Sequence, residues 1–146
     1  MPSVFPFTSH VKKSLSNTKK LPVFREYAYD FERNCLKLRA GKSYLVEKDE
    51  ALKIWIYHAL KVPRYIFRAH SQEYGNELAH LIGCADGREV AESETKRYII
   101  EAVMVNPYIQ ELNSFQFEYG HASMNVIFEV TTLYGRFTHE SEVYNE

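Results

Sequence analysis

The stretch Asn106–Tyr134, NPYIQELNSFQFEYGHASMNVIFEVTTLY, decides the fold. Asn106-Pro107 ends any helix that precedes it, because proline has no amide hydrogen to donate and holds the residue before it out of the helical region. Two long runs of strand-forming residues follow, Tyr108–Glu118 and Ser123–Tyr134, on either side of the turn Tyr119-Gly120-His121. That order predicts one long β-hairpin. After Gly135 the chain turns polar again, and Phe137, Val143 and Tyr144 leave it readable as a loose tail or as an edge strand.

Upstream of the hairpin the period changes from strand to helix. Ile99, Ala102 and Val103 recur on one side of a helix expected over about Ser93–Val105, with Ser93 as its N-cap. Leu52, Trp55, Ile56, Ala59 and Leu60 mark another between Lys48 and Lys61, with Trp55 in the core; Asp49 and Glu50 at its start and Lys61 at its end suit the helix dipole, and Pro63 stops it. A short strand at Arg64–Ala69 and a short helix carrying Leu78, Ala79, Leu81 and Ile82, closed by Gly83, fill the interval. Earlier still, Glu32-Arg33-Asn34 and Ala40-Gly41-Lys42 cut Glu26–Glu47 into three short strands, read as a meander. The middle one alternates Cys35, Lys37 and Arg39 with Leu36 and Leu38, as a strand with one wet and one packed face would.

The sum is an α+β domain: a mostly antiparallel sheet, two longer helices and one short helix, a long C-terminal hairpin and an extended N-terminal arm. Residues 1–25 make the arm, 26–136 the compact domain and 137–146 the tail or edge strand. At 146 residues one domain is expected. Met1–Phe7 lacks the basic start and apolar run of a secretory signal, which makes the cytoplasm the expected compartment. Charge is divided between the ends. Lys12, Lys13, Lys19, Lys20 and Arg25 stand in a first segment without acids, whereas Glu140, Glu142 and Glu146 close a last segment without Lys or Arg.

Function classes fall away in turn. A net charge of −1 argues against a nucleic-acid binder. Cys35 and Cys84, far apart and without a CxxC partner, give no disulfide framework and are expected to be buried; the six histidines, expected at the surface or satisfied in the core, show no metal-ligand spacing. No phosphate-cradling glycine loop and no nucleophile elbow is present, so no cofactor and no small-molecule substrate are expected. Glu73 and Glu77 would lie one turn apart if Tyr74 were helical, but acids at a helix start ordinarily serve the dipole, and no catalytic dyad is assigned. The 11 Tyr and 9 Phe suit both a β-rich core and an interface.

Several of these pieces occur together in an order that carries a resemblance. Tyr29-Asp30-Phe31, Gly41-Lys42, Ala51-Leu52-Lys53-Ile54-Trp55-Ile56, Arg64-Tyr65, Tyr74-Gly75-Asn76-Glu77-Leu78 and Leu81-Ile82-Gly83 resemble the XkdS-like proteins of contractile phages and defective prophages, over about residues 27–135. More distantly, the chain is similar to the T-even phage gene-product-25 (sheath initiator) family. Where the wider family has Glu-Pro-Arg this chain has Asn106-Pro107-Tyr108, which puts a salt-bridge role there in doubt; Tyr108 would replace the charge by stacking.

The resemblance implies a structural, non-enzymatic baseplate subunit of a phage tail or R-type bacteriocin. It would be assembled in the bacterial cytoplasm and carried in the baseplate of the released particle. The implied partners are sheath protein, baseplate wedge proteins, tube or hub proteins and neighbouring copies in a six-fold assembly, with no membrane and no nucleic acid. Partner contacts are expected at Val4, Phe5, Phe7, Arg64, Tyr74, Asn106, Pro107, Tyr108, Phe137, Val143 and Tyr144, and loss of either terminal segment is expected to spare the core. A lysozyme-like tail hydrolase using Glu73 or Glu77, and a cytoplasmic adaptor, are the competing readings.

Overall fold

The computed structural model describes residues 20–66, 68–78, 87–121 and 123–144. Its element order is β1 Arg25–Tyr27, β2 Tyr29–Asp30, β3 Cys35–Leu36, β4 Leu38–Arg39, β5 Lys42–Ser43, β6 Leu45–Glu47, α1 Lys48–Lys61, α2 Arg88–Val103, β7 Ile109–Tyr119, β8 Ser123–Thr132 and β9 Arg136–Tyr144. This is the α+β arrangement expected, with antiparallel ladders throughout the named strands.

The hairpin expected after Pro107 is real, and the segment after Gly135 joins it as β9, giving a sheet of order β7-β8-β9. Period 2 in β8 explains the fold's centre of mass. Met124, Val126, Phe128 and Val130 are buried, and their alternate neighbours are only half-buried. β7 keeps its apolar side on that same face through a bulge: Ser114, in the left-handed region at φ 54, and Phe115 together oppose Phe128, and the Phe115 and Phe128 rings stack at 5.2 Å.

Helix α1 has the bounds read from sequence and is buried on two faces. Leu52, Ile56 and Leu60 join Ile99, Ala102 and Val103 of α2 in the core against the sheet. Ala51 and Ile54 pack instead on Ala28 and Val46 of the small strands. Trp55 turns out half-buried at the rim of the main core, because its position on the helix falls between those two faces. Helix α2 begins at Arg88, five residues before the expected Ser93, with Gly87 at the N-cap. Glu89, Ala91, Glu92 and Glu94 are good or tolerable helix formers and nothing among them halts the helix. Ser93 sits exposed within it.

β1–β6 are not a meander. Three two-stranded ladders, β1 with β6, β2 with β3 and β4 with β5, meet where the Ala28 amide donates to Tyr44 O (2.9 Å) and the Lys37 amide to Ala28 O (2.8 Å). The first and last strands close on each other, and β3–β5 project as a finger with no helix beneath. The expected packed face is therefore absent: Cys35, Leu36, Lys37, Leu38 and Arg39 are all exposed, Leu38 to 63%. Residues 64–66 form turns and not the expected strand, and the expected short helix lies largely outside the described residues. Cys84 lies there too.

Candidate partner-binding site

The Tyr74–Leu78 motif closes the C-terminal end of α1. The buried Asn76 side-chain amide donates to Ala59 O and Val62 O, both at 3.0 Å, while its oxygen accepts the Leu78 amide. The first satisfies a helix-end carbonyl that Pro63, having no amide hydrogen, leaves without its usual donor, and the second adds to the bond that Val62 O already accepts from the Asn76 backbone amide at 3.0 Å. Gly75 is required for this: at φ +103 it passes so close that a Cβ would meet Val62 O at 2.7 Å. Arg64 completes the clamp, donating to Gly75 O at 3.2 Å and facing Glu77 at 3.4 Å, with its Nε buried and without an acceptor among the described residues. Tyr74 stacks on His70 at 4.7 Å and meets Trp55 edge-on at 5.8 Å; burial, and then Glu26, push its hydroxyl pKa up. Glu73 is exposed and Tyr74 is not helical, so the spacing that would have aligned Glu73 with Glu77 is not realised.

At the other end of α1 lies Asn106-Pro107-Tyr108. Asn106 is buried, its side-chain oxygen accepting the Tyr108 amide at 2.9 Å. The Tyr108 ring stacks on Tyr134 at 6.3 Å and tilts against Phe24 at 4.9 Å, and its hydroxyl donates to Pro22 O at 2.7 Å. In turn the Phe24 amide donates to the Tyr134 hydroxyl at 3.1 Å. The Thr132 hydroxyl donates to Asp49 at 2.6 Å and accepts the Tyr134 amide, tying the β8–β9 turn to the start of α1. Tyr134, Thr132 and Asp49 were missed in the sequence, since nothing local pairs residues 83 positions apart.

The implied contact residues are thus divided by α1, whose 14 residues span about 21 Å. Val4, Phe5 and Phe7 lie outside the described residues. Phe137 packs on the main core beneath the Lys53 ammonium (5.2 Å), and Val143 is buried, so the last segment belongs to the core and its loss would not spare it. Tyr144 pairs through its backbone with Ser123. His139, between them, is buried against Phe128 at 5.4 Å with Nε2 unsatisfied among the described residues, contrary to the satisfied core histidine expected. Burial, and secondarily Lys53, hold its pKa down to about 4.

β9 presents the outer edge of the sheet. The Thr132 amide bonds Gly135 O at 2.8 Å, which sets the phase of the ladder: Phe137, His139, Ser141 and Val143 face β8, and the amides of Thr138 and Glu140 face away. No strand among the described residues pairs with that side. Beside it runs a groove of about 400 Å³ lined by Asn125 of β8 and Glu140, Ser141 and Glu142 of β9, together with Phe31, Tyr57 and Lys61. Phe31 belongs to an aromatic cluster with Tyr29 and Tyr57, at 5.8 and 4.7 Å. The period-2 alternation of Phe137, His139, Ser141 and Val143 was the available signal for this edge. No group of three metal-binding side chains occurs among the described residues, and no helix there is long and apolar enough to cross a membrane.

A family model described as contractile injection system sheath initiator matches residues 25–135, most of the chain. No individually curated protein matches it.

Proposed function

Because this chain belongs to the contractile injection system sheath initiator family, a structural part of the contractile machine, we propose that it anchors the first sheath ring by accepting an extended segment of sheath protein along β9. Wedge proteins would hold the domain near the central tube, in a six-fold baseplate assembled in the bacterial cytoplasm, and no catalysis is involved. The observation that carries this reading is the exposed edge of β9 beside the Phe31–Tyr57 groove. An incoming strand gains main-chain hydrogen bonds from the edge and side-chain contacts from the groove, the two ingredients of recognition by strand addition. Val4, Phe5 and Phe7 would add contacts from the basic first segment, and Arg64, Tyr74, Asn106, Pro107 and Tyr108 would shape the two ends offered to the wedge.

The test uses one atom. Glu140→Pro removes an amide that faces away from β8 and leaves the β8–β9 ladder whole, a position where edge strands tolerate proline; Glu140→Ala keeps the amide. In cells producing the particle from a copy of this gene only, the proline variant is expected to fold, with an unchanged melting curve, and to yield tubes without sheath. The alanine variant is expected to yield sheathed particles. Normal sheaths with Glu140→Pro would refute strand addition at β9.

A further inference from the structure

Two exposed surfaces of opposite sign belong to elements that pack on different faces of α1. The first is the outer face of the sheet, the one turned away from both helices. The ladder registers place Glu111, Glu118, Glu129, Glu140 and Glu142 there; Arg136 on the same face lies 3.6 Å from Glu129, and Lys61 of α1 stands across the groove from Glu140 and Glu142, so the face keeps an acidic excess. Ile127 stands near its middle, half-buried on the central strand. Phe31 and the end of α1 border this face along β9, and no strand or helix among the described residues is paired across the rest of it. The second is the finger. From Cys35 to Ser43 the chain has Lys37, Arg39 and Lys42 and no acid, and beside them Leu36 and Leu38 are exposed to 48% and 63%.

We propose that the finger of one copy docks on the acidic outer sheet face of a second copy. The charges are complementary, each surface carries apolar side chains, and one chain offers one of each. Such a contact is heterologous: it repeats from copy to copy, and it closes into a ring or continues as a helix according to the rotation per step. Exposed charges over this distance are screened by salt, which gives the contact a signature. The proposal goes beyond sheath anchoring and does not use the outward amides of β9.

Sedimentation velocity of the full chain tests it. At about 20 mM salt the protein is expected to associate with rising concentration, and at about 300 mM salt the association weakens by about tenfold or more. Lys37→Glu with Lys42→Glu reverses the finger; Glu118→Lys with Glu140→Lys reverses the sheet face. Each double variant alone is expected to stay monomeric with an unchanged melting curve, and the two mixed in equal amounts are expected to associate again, since together they hold one native pair of surfaces. A monomer under all conditions, association untouched by the reversals, or association lost in only one of the two variants would overturn the proposal. The last result would indicate a contact between two like surfaces. None of these outcomes bears on sheath formation by Glu140→Pro, which is read in particles.

Discussion

The three-stranded sheet β7–β9 and the small strands β1–β6 have nearly the same number of ladders to make and solve the problem differently. In the sheet, strands of 9 to 11 residues alternate strictly enough to bury the inner side of β8 and much of its neighbours' under two helices, and the hydrophobic effect fixes the register. In β1–β6 no strand exceeds three residues, and Ala28 and Val46 are the main buried apolar side chains. Turn chemistry holds that region instead. The Asp30 carboxylate accepts the Glu32 and Arg33 amides at 3.0 and 3.1 Å, which holds its pKa below the ordinary value, and Asn34, Ala40 and Gly41 take left-handed conformations at the two turns. An amphipathic pattern in a strand therefore does not guarantee a packed face. The opposite element must exist, and under the finger it does not.

That contrast breaks if burial does not separate the two regions energetically. Phe128→Ala, at the buried centre of β8, is expected to cost about 3–5 kcal/mol, and Leu38→Ala on the finger about 0.5 kcal/mol or less, both from denaturant midpoints. Comparable losses would mean that the finger packs on something. Acid sharpens the contrast, because His139 sits on the core face of β9 and the finger holds no buried titratable group among the described residues. Its folded pKa of about 4 lies below the unfolded value of 6.5, so the unfolded chain binds the extra proton. Stability is then complete above pH 6.5 and falls as pH drops through the window down to about 4, by on the order of 2–3 kcal/mol. His58, shifted the same way by burial and then Lys61, adds to that slope. Denaturation between pH 7 and 4.5 measures the loss, and His139→Gln should remove most of it. An effect smaller than those at Phe128 and His139 is expected at the link between the regions. Tyr108→Phe keeps the stacking and deletes the bond to Pro22, for a loss of about 0.5–1.5 kcal/mol and faster amide exchange around Phe24; unchanged exchange would place the anchor elsewhere.

Much of this is legible in the sequence. Pro107 and Gly120 punctuate the chain by backbone chemistry alone, so the hairpin and the end of α2 follow from local residues, as does α1 from its apolar period and terminal charges. The start of α2 was misread because Ser93 is a good cap by type, while the uninterrupted helix formers before it let the helix run back to Gly87. The site was less legible. Tyr74-Gly75-Asn76-Glu77-Leu78 was recognisable as a motif, yet its work as a clamp on α1 depends on Ala59 and Val62, which it meets only in three dimensions.

The sequence by itself determined the α+β class, the two longer helices and the hairpin after them, the division of charge between the ends and the family. Those rest on periodicity, turn residues and ordered motifs, which act within a few positions of one another. Only the tertiary structure decided that the last segment completes the sheet, that the middle small strand has no covered face, and that five carboxylates gather on one side. These depend on pairing and layering between residues far apart in the chain, where the free energy of burying a face is settled by what else the fold brings to it.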